Sequence, residues 1–142
     1  MLDINKQKMT YSLPNGRGPV YELDENGDIK YIVIDGESVP VITGETETAY
    51  EEPVTFFANI SNKLSEALMK EFGIDQSTNY VQIVSDKGKL PLEIGSLVWK
   101  KSPVAYKNLR PDPKSADYKV IGAADEGLTV ELFLLQKNVK YV

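Results

Sequence analysis

Asp117-Tyr118-Lys119-Val120-Ile121-Gly122-Ala123, then the turn segment Ala124-Asp125-Glu126-Gly127, then Leu128-Thr129-Val130-Glu131-Leu132-Phe133-Leu134-Leu135-Gln136-Lys137 is the stretch that decides the fold. Two β-rich runs joined by a short segment ending in glycine predict an antiparallel hairpin. Successive strand side chains point to opposite faces, so Leu128, Val130, Leu132 and Leu134 share one face and Thr129, Glu131, Phe133 and Leu135 the other. The second run is therefore apolar on both faces toward its end, and that end must be central in a sheet or covered.

Working outward, Tyr80 to Ser85 reads as a strand bounded by Asp86-Lys87-Gly88-Lys89, and Leu97 to Lys100 as another. Between Lys101 and Ala116 lie Pro103, Pro111 and Pro113, none of which can donate to a β ladder, so about 101–116 is expected to be a long loop. Pro53 to Ser61 alternates as a strand with Val54, Phe56, Ala58 and Ile60 on one face. Asn62 to Phe72 carries the one helical signature: Leu64, Ala67, Leu68 and Phe72 recur at three- and four-residue spacing, and Gly73 is placed to end the helix in a left-handed conformation. That helix should lie over an open end or one face of the β structure.

Val20 to Leu23 and Ile29 to Ile34 flank Asp24-Glu25-Asn26-Gly27-Asp28, a turn-favouring segment, and Asp35-Gly36 leads on to Ser38 to Ile42. The reading is a three-stranded meander, followed by an exposed crossing at Gly44 to Tyr50. Residues 1–19, with Asn15-Gly16-Arg17-Gly18-Pro19, read as an N-terminal arm outside the β domain. The expectation is one domain over 1–142, mainly β: a small antiparallel β-barrel or sandwich over 20–142, with one short amphipathic helix at about 62–72 and a long basic loop. At 142 residues such a domain buries roughly 68 to 70% of its unfolded surface.

The chain has no cysteine, which removes disulfides and thiolate chemistry, and no histidine, which removes the commonest general acid or base and metal ligand near neutral pH. Asp24-x-Asn26-x-Asp28 resembles the opening of a calcium loop, but the glycine is at Gly27 and the twelfth position is Asp35, so an ordinary hairpin turn is the simpler reading. Asn59-Ile60-Ser61 fits a glycosylation sequon inside a predicted strand, and Asn15-Gly16-Arg17-Gly18-Pro19 lacks the strand and helix that a phosphate loop needs. Glu51 with Glu52, and Glu45 with Glu47, sit in a polar segment and read as a solvated face rather than an acid-base pair. No enzyme activity and no cofactor are expected. Met1-Leu2-Asp3-Ile4-Asn5-Lys6 shows no secretory signal, and Leu132 to Leu135 is too short an apolar run to span a bilayer, so no membrane partner is expected and the chain is expected to be made in a cytoplasm.

The net charge of −5 conceals an asymmetry. From Tyr21 to Glu52 there are ten acidic residues against Lys30 alone, whereas Lys100, Lys101, Lys107, Arg110, Lys114 and Lys119 face only Asp112 and Asp117 between Lys100 and Lys119. Lys100, Lys101, Tyr106, Lys107, Arg110 and Lys114 are thus the candidate contacts for a partner or a phosphate backbone, and Glu45, Glu47, Glu51 and Glu52 a candidate acidic subunit-contact face. The loop is expected to order only on assembly. Trp99, Tyr106 and Tyr118 keep a second reading open, an OB-like module for single-stranded nucleic acid or carbohydrate, although Trp99 beside Leu97 and Val98 suits a core better.

Asp24 to Ile32, Asp35-Gly36, Val39 to Val41, Val54 to Ser61, Glu71 to Asp75, Asp86 to Pro91, Ser96 to Trp99 and Asp117 to Val120 together resemble the head-tail connector proteins of long-tailed bacteriophages of Gram-positive hosts, in the head-closure or stopper group. The resemblance covers most of the chain from about Val20 as a pattern of strands and loops. It implies a small β-barrel and a structural virion protein of the neck that closes the DNA-filled head and docks the tail. Its implied partners are the portal or adaptor, tail-side neck proteins, and copies of itself in a ring, a dodecameric one being a stoichiometry the resemblance allows. DNA would pass through the pore without sequence-specific binding.

Overall fold

The computed structural model describes residues 6–76, 79–126 and 129–138. The start at Met1-Leu2-Asp3-Ile4-Asn5 and the expected strand position Leu128 lie outside the described residues. The strands are β1 Gln7–Ser12, β2 Pro14–Tyr21, β3 Tyr31–Ile34, β4 Glu37–Pro40, β5 Ile42–Tyr50, β6 Val54–Ser61, β7 Tyr80–Asp86, β8 Leu97–Trp99, β9 Tyr106–Lys107, β10 Arg110–Pro111, β11 Tyr118–Glu126 and β12 Val130–Lys137, with helix α1 at Glu66–Phe72. Six of these close an antiparallel barrel in the order β1-β6-β7-β12-β11-β8, so the mainly β expectation holds and the barrel alternative is the one adopted.

The opening stretch explains how the barrel is filled and covered. Phe133 and Leu135 point inward with Met9, Phe56, Val81, Ile83, Val98 and Val120, all buried, and the rings of Tyr11 and Phe56 meet edge to face at 5.3 Å between centroids. Leu132 and Leu134 point outward, where Leu64 and Leu68 cover them. Helix α1 is thus the cover that the two-faced apolar strand required. It starts at Ser65, whose Oγ accepts from the Leu68 N–H at 3.3 Å, and it ends at Gly73 with φ of 63°. The Phe72 ring lies over Gly122, where a bulge in β11 shifts the register between Val120 and Gly122.

Four expectations change. Residues 7–12 are not an arm: β1 closes the barrel by pairing with both β6 and β8, its Met9 entering the core. With polar neighbours on either side, Met9 and Tyr11 are too few to announce a strand. The excursion from the barrel is instead residues 13–51, inserted between β1 and β6. Gly44 to Tyr50 is no crossing but most of β5, which pairs with β2 in a two-stranded ribbon. The expected meander is a branched tip: Leu23 pairs with Ile29 around the Asp24 turn, β3 pairs with β4, and the branches join through Glu22 N–H to Val41 O, Lys30 N–H to Glu22 O and Val41 N–H to Lys30 O. Ribbon strands with no buried face need no apolar alternation, which is why the Thr- and Glu-rich segment concealed a strand.

The fourth change concerns 101–116, which is built rather than structureless. It holds the β9–β10 hairpin, whose two-residue turn places Asn108 and Leu109 at φ of 55° and 65°, and a 3-10 turn at Pro113–Ser115. Asp117 anchors its entry by accepting the N–H groups of Lys100, Lys101 and Ser102 at 2.8, 2.9 and 3.0 Å on one oxygen and the Ser102 hydroxyl at 2.7 Å on the other. Asn138 donates to the carbonyl of Ala116 at 2.9 Å at its exit. Leu97 and Trp99 face outward and are covered by Val104, Ala116 and Tyr50, so the segment closes a third small core.

Candidate functional site

The arm, the 101–116 segment and the barrel mouth carry the candidate residues named from the sequence and the clefts beside them. Strand β2 carries Gly18 at a buried position because Arg110 of β10 lies flat across it: a Cβ there would stand 2.6 Å from Arg110 Nη1 and 2.8 Å from its guanidinium carbon. Held in that place, Arg110 donates to the Pro19 carbonyl at 2.8 Å and to Glu47 Oε1 of β5 at 2.7 Å. Asn108, buried at the tip of the same hairpin, donates to Glu47 at 2.7 Å and accepts the Tyr21 N–H at 3.0 Å. Burial alone would push the Glu47 carboxyl up, but the hydrogen bonds from Asn108 and Arg110, with the charges of Arg110 and Lys107, hold it below its ordinary value. The knot clamps the hairpin to the ribbon.

This clamp joins one residue of the predicted basic set to one of the predicted acidic set, within a single chain rather than across subunits. Of the remaining candidates, Lys101, Tyr106, Lys107 and Lys114 are exposed, Lys100 is half-buried after β8, and Glu45, Glu51 and Glu52 are exposed along and after β5. Asn108, Gly18 and Asp117 were missed as organisers. An asparagine at the first turn position was the available signal for the hairpin, but Leu109 beside it, in a conformation that bulky residues rarely adopt, hid it.

Asp117 sits well below the usual carboxylate range: burial opposes this, and the Ser102 N–H and hydroxyl with the N–H groups of Lys101 and Lys100 override it. Burial, with the Asp117 charge, pushes the Tyr118 hydroxyl up. Tyr50 is shifted the same way by burial and by Glu47. Asp24 Oδ1 accepts the N–H groups of Asn26 and Asp28 at 2.9 and 3.0 Å, so the calcium-like stretch is a turn that its first aspartate ties off. Among the described residues no group of three or more acidic side chains is placed to hold a metal, and no helix is long and apolar enough to cross a membrane. Trp99 is buried, and its indole N–H donates to Ser115 Oγ at 3.0 Å, so it offers no face for stacking.

Two features remain on the outside. The first is the tip: Tyr31, Ile32, Val33 and Ile34 of the β3–β4 hairpin, with Leu23 in the neighbouring branch, are all about half or more exposed, Val33 reaching 74%, and β3–β4 pairs with no other strand. Beside it, Val20, Tyr21, Ile29, Tyr31, Tyr106 and Leu109 line a largely apolar cleft of about 690 Å3 between the arm and the β9–β10 hairpin. The second is the barrel mouth where β6, β8 and β12 end and β7 and β11 begin. There Ile60, Val81 and Tyr118 floor a cleft of about 440 Å3 rimmed by Lys100, Lys101 and Lys137.

These features define a class by architecture, a six-stranded antiparallel barrel carrying an inserted β-arm and a clamped accessory hairpin. No protein-family model, curated protein or solved structure matches the chain.

Proposed function

We propose that this chain is a non-catalytic structural protein of a phage neck, a head-closure connector that forms a ring between portal and tail and presents a docking surface to the tail. The observation that carries the reading is the arm: an inserted ribbon that ends in an uncovered hairpin of Tyr31, Ile32, Val33 and Ile34. Apolar surface of this kind on a stable barrel is a contact surface. The barrel interior supports it, being filled by Met9, Phe56, Ile83, Val98 and Phe133 rather than open to a substrate. The acidic arm suits a protein past which DNA must slide, because lysine- and arginine-rich walls would retain it.

In this reading the barrels form the ring wall, the arms reach neighbouring subunits or the tail-side protein, and the portal or adaptor binds the opposite face. The protein acts in the virion after synthesis in the host cytoplasm. The test is assembly in particles from which the chain has been removed: supplying it should restore DNA retention and tail attachment. A chain whose β3–β4 hairpin is replaced by a short turn should restore neither. Full restoration by the hairpin-less chain would sink the reading.

A further inference from the structure

Among the described residues, two exposed features carry opposite charges, and they lie at opposite ends of the barrel strands. The arm leaves where β1 ends and β6 begins, at Ser12 and Val54, and the lysine-rimmed mouth lies where β6 ends at Ser61. Pairing of Gln7 with Ala58 and of Ser61 with Gln82 fixes these as opposite ends. The tip is apolar along Tyr31 to Ile34 and acidic at its turn, where Asp35 and Glu37 are exposed, with Glu22, Glu25 and Asp28 exposed around its base and Lys30 as the basic residue between Tyr21 and Glu52. The mouth carries the opposite charge: a mainly polar surface with Ser61 and Asn62, half-buried Ile60 and Tyr118 at its floor, and a rim of Lys100, Lys101 and Lys137.

We propose that the β3–β4 tip of one subunit docks in the lysine-rimmed barrel mouth of a second copy, with Asp35 and Glu37 facing Lys100, Lys101 and Lys137, and Ile32 to Ile34 covering Ile60 and Tyr118. The proposal rests on the ring reading and names its contact. A surface on one end that fits a different surface on the other end is a heterologous contact, and such contacts close into rings when the rotation per subunit permits. The β3–β4 ribbon also has edges that pair with no other sheet and an exposed row of β-branched residues, a surface open to another chain. The opposed charges set partner and register, and the exposed tip residues cover what Ile60 and Tyr118 leave open at the floor.

The absence of native cysteine makes the contact directly readable. Full-length V33C and K101C chains are mixed and treated with a short bismaleimide, with V33C plus E71C on the helix as the control pair. Tip-to-mouth dimers should form at least tenfold more than in the control, fall to the control level when K100E is added to the K101C chain, and return when D35K is added to the V33C chain. Circular dichroism of each variant guards against unfolding. Dimers no more abundant than in the control overturn the proposal, whether the tip is then found to bind another protein or nothing. If sedimentation velocity nonetheless shows a closed oligomer, the ring reading stands on another contact. If the chain is monomeric at every concentration, that reading passes to the particle assay alone.

Discussion

Replacing Gly18 with alanine should detach the β9–β10 hairpin from the arm while leaving the barrel folded. The new methyl would sit 2.6 Å from Arg110 Nη1 and 2.8 Å from the guanidinium carbon, closer than any stable carbon contact, so the guanidinium must leave. Its departure removes the bonds to the Pro19 carbonyl and to Glu47, at 2.8 and 2.7 Å. A hydrogen bond involving a charged group contributes about 1.5–3 kcal/mol when buried. The Glu47 side chain is 40% exposed and Arg110 14%, so screening trims the pair toward the low end, and a loss of about 1–2 kcal/mol is expected. Arg110→Ala removes the same two bonds and should cost about the same. The double variant should cost little more than either alone, because the methyl has nothing left to displace, giving a coupling of about 1 kcal/mol in a double-mutant cycle. Urea denaturation supplies the free energies. Amide exchange should show faster exchange confined to residues 106–111 and their contacts on β2 and β5. Strictly additive losses, or a Gly18→Ala chain as stable as the parent, would refute the clamp.

Further outcomes follow from the same structure. Asp117→Ala should destabilise the fold by about 2–3 kcal/mol, since three N–H groups and one hydroxyl lose a charged acceptor, and should loosen 100–105 in amide exchange. Because the folded carboxyl lies below its ordinary value of 3.8, this stabilisation is fully present above about pH 5 and is lost as the pH falls below 4 toward the folded value. The parent should lose stability over that range more steeply than Asp117→Asn in parallel melts. Gly122→Ala should cost about 1–3 kcal/mol through the clash of its methyl with the Phe72 ring at 2.1 Å, and Phe72→Ala in the same chain should recover part of the loss. Val33→Asp should leave the unfolding free energy within about 0.5 kcal/mol of the parent, because Val33 is 74% exposed, while abolishing any self-association.

How much of this was legible depended on whether a strand had a face to bury. The β11–β12 hairpin was readable because Leu132 to Leu135 left a two-faced apolar strand, and the helix that covers it was readable from Leu64, Leu68 and Gly73. Both cores follow from those residues. The arm was not readable, since β2 contains Pro14, Gly16, Gly18 and Pro19, and β5 alternates threonine with glutamate. Such strands are specified by their partner and by Arg110 lying on Gly18, a contact between residues 92 positions apart that no local pattern encodes. The charge asymmetry was legible as a sum, but not which residues meet: Glu47 and Arg110 meet within the chain, and Lys100 and Lys101 join Lys137 from the far end of β12, which the sequence placed in no set. Asp117 looked like a strand end rather than the anchor of the segment before it.

The proposed neck role makes the chain a fixed part of the virion. It is tested most directly by quantitative mass spectrometry of purified particles made from the genome that encodes the chain. The account predicts that the chain is present in every particle, in a copy number that matches one closed ring and scales with the portal rather than with the major capsid protein. Absence from purified particles, or a copy number that follows the capsid shell, would contradict it.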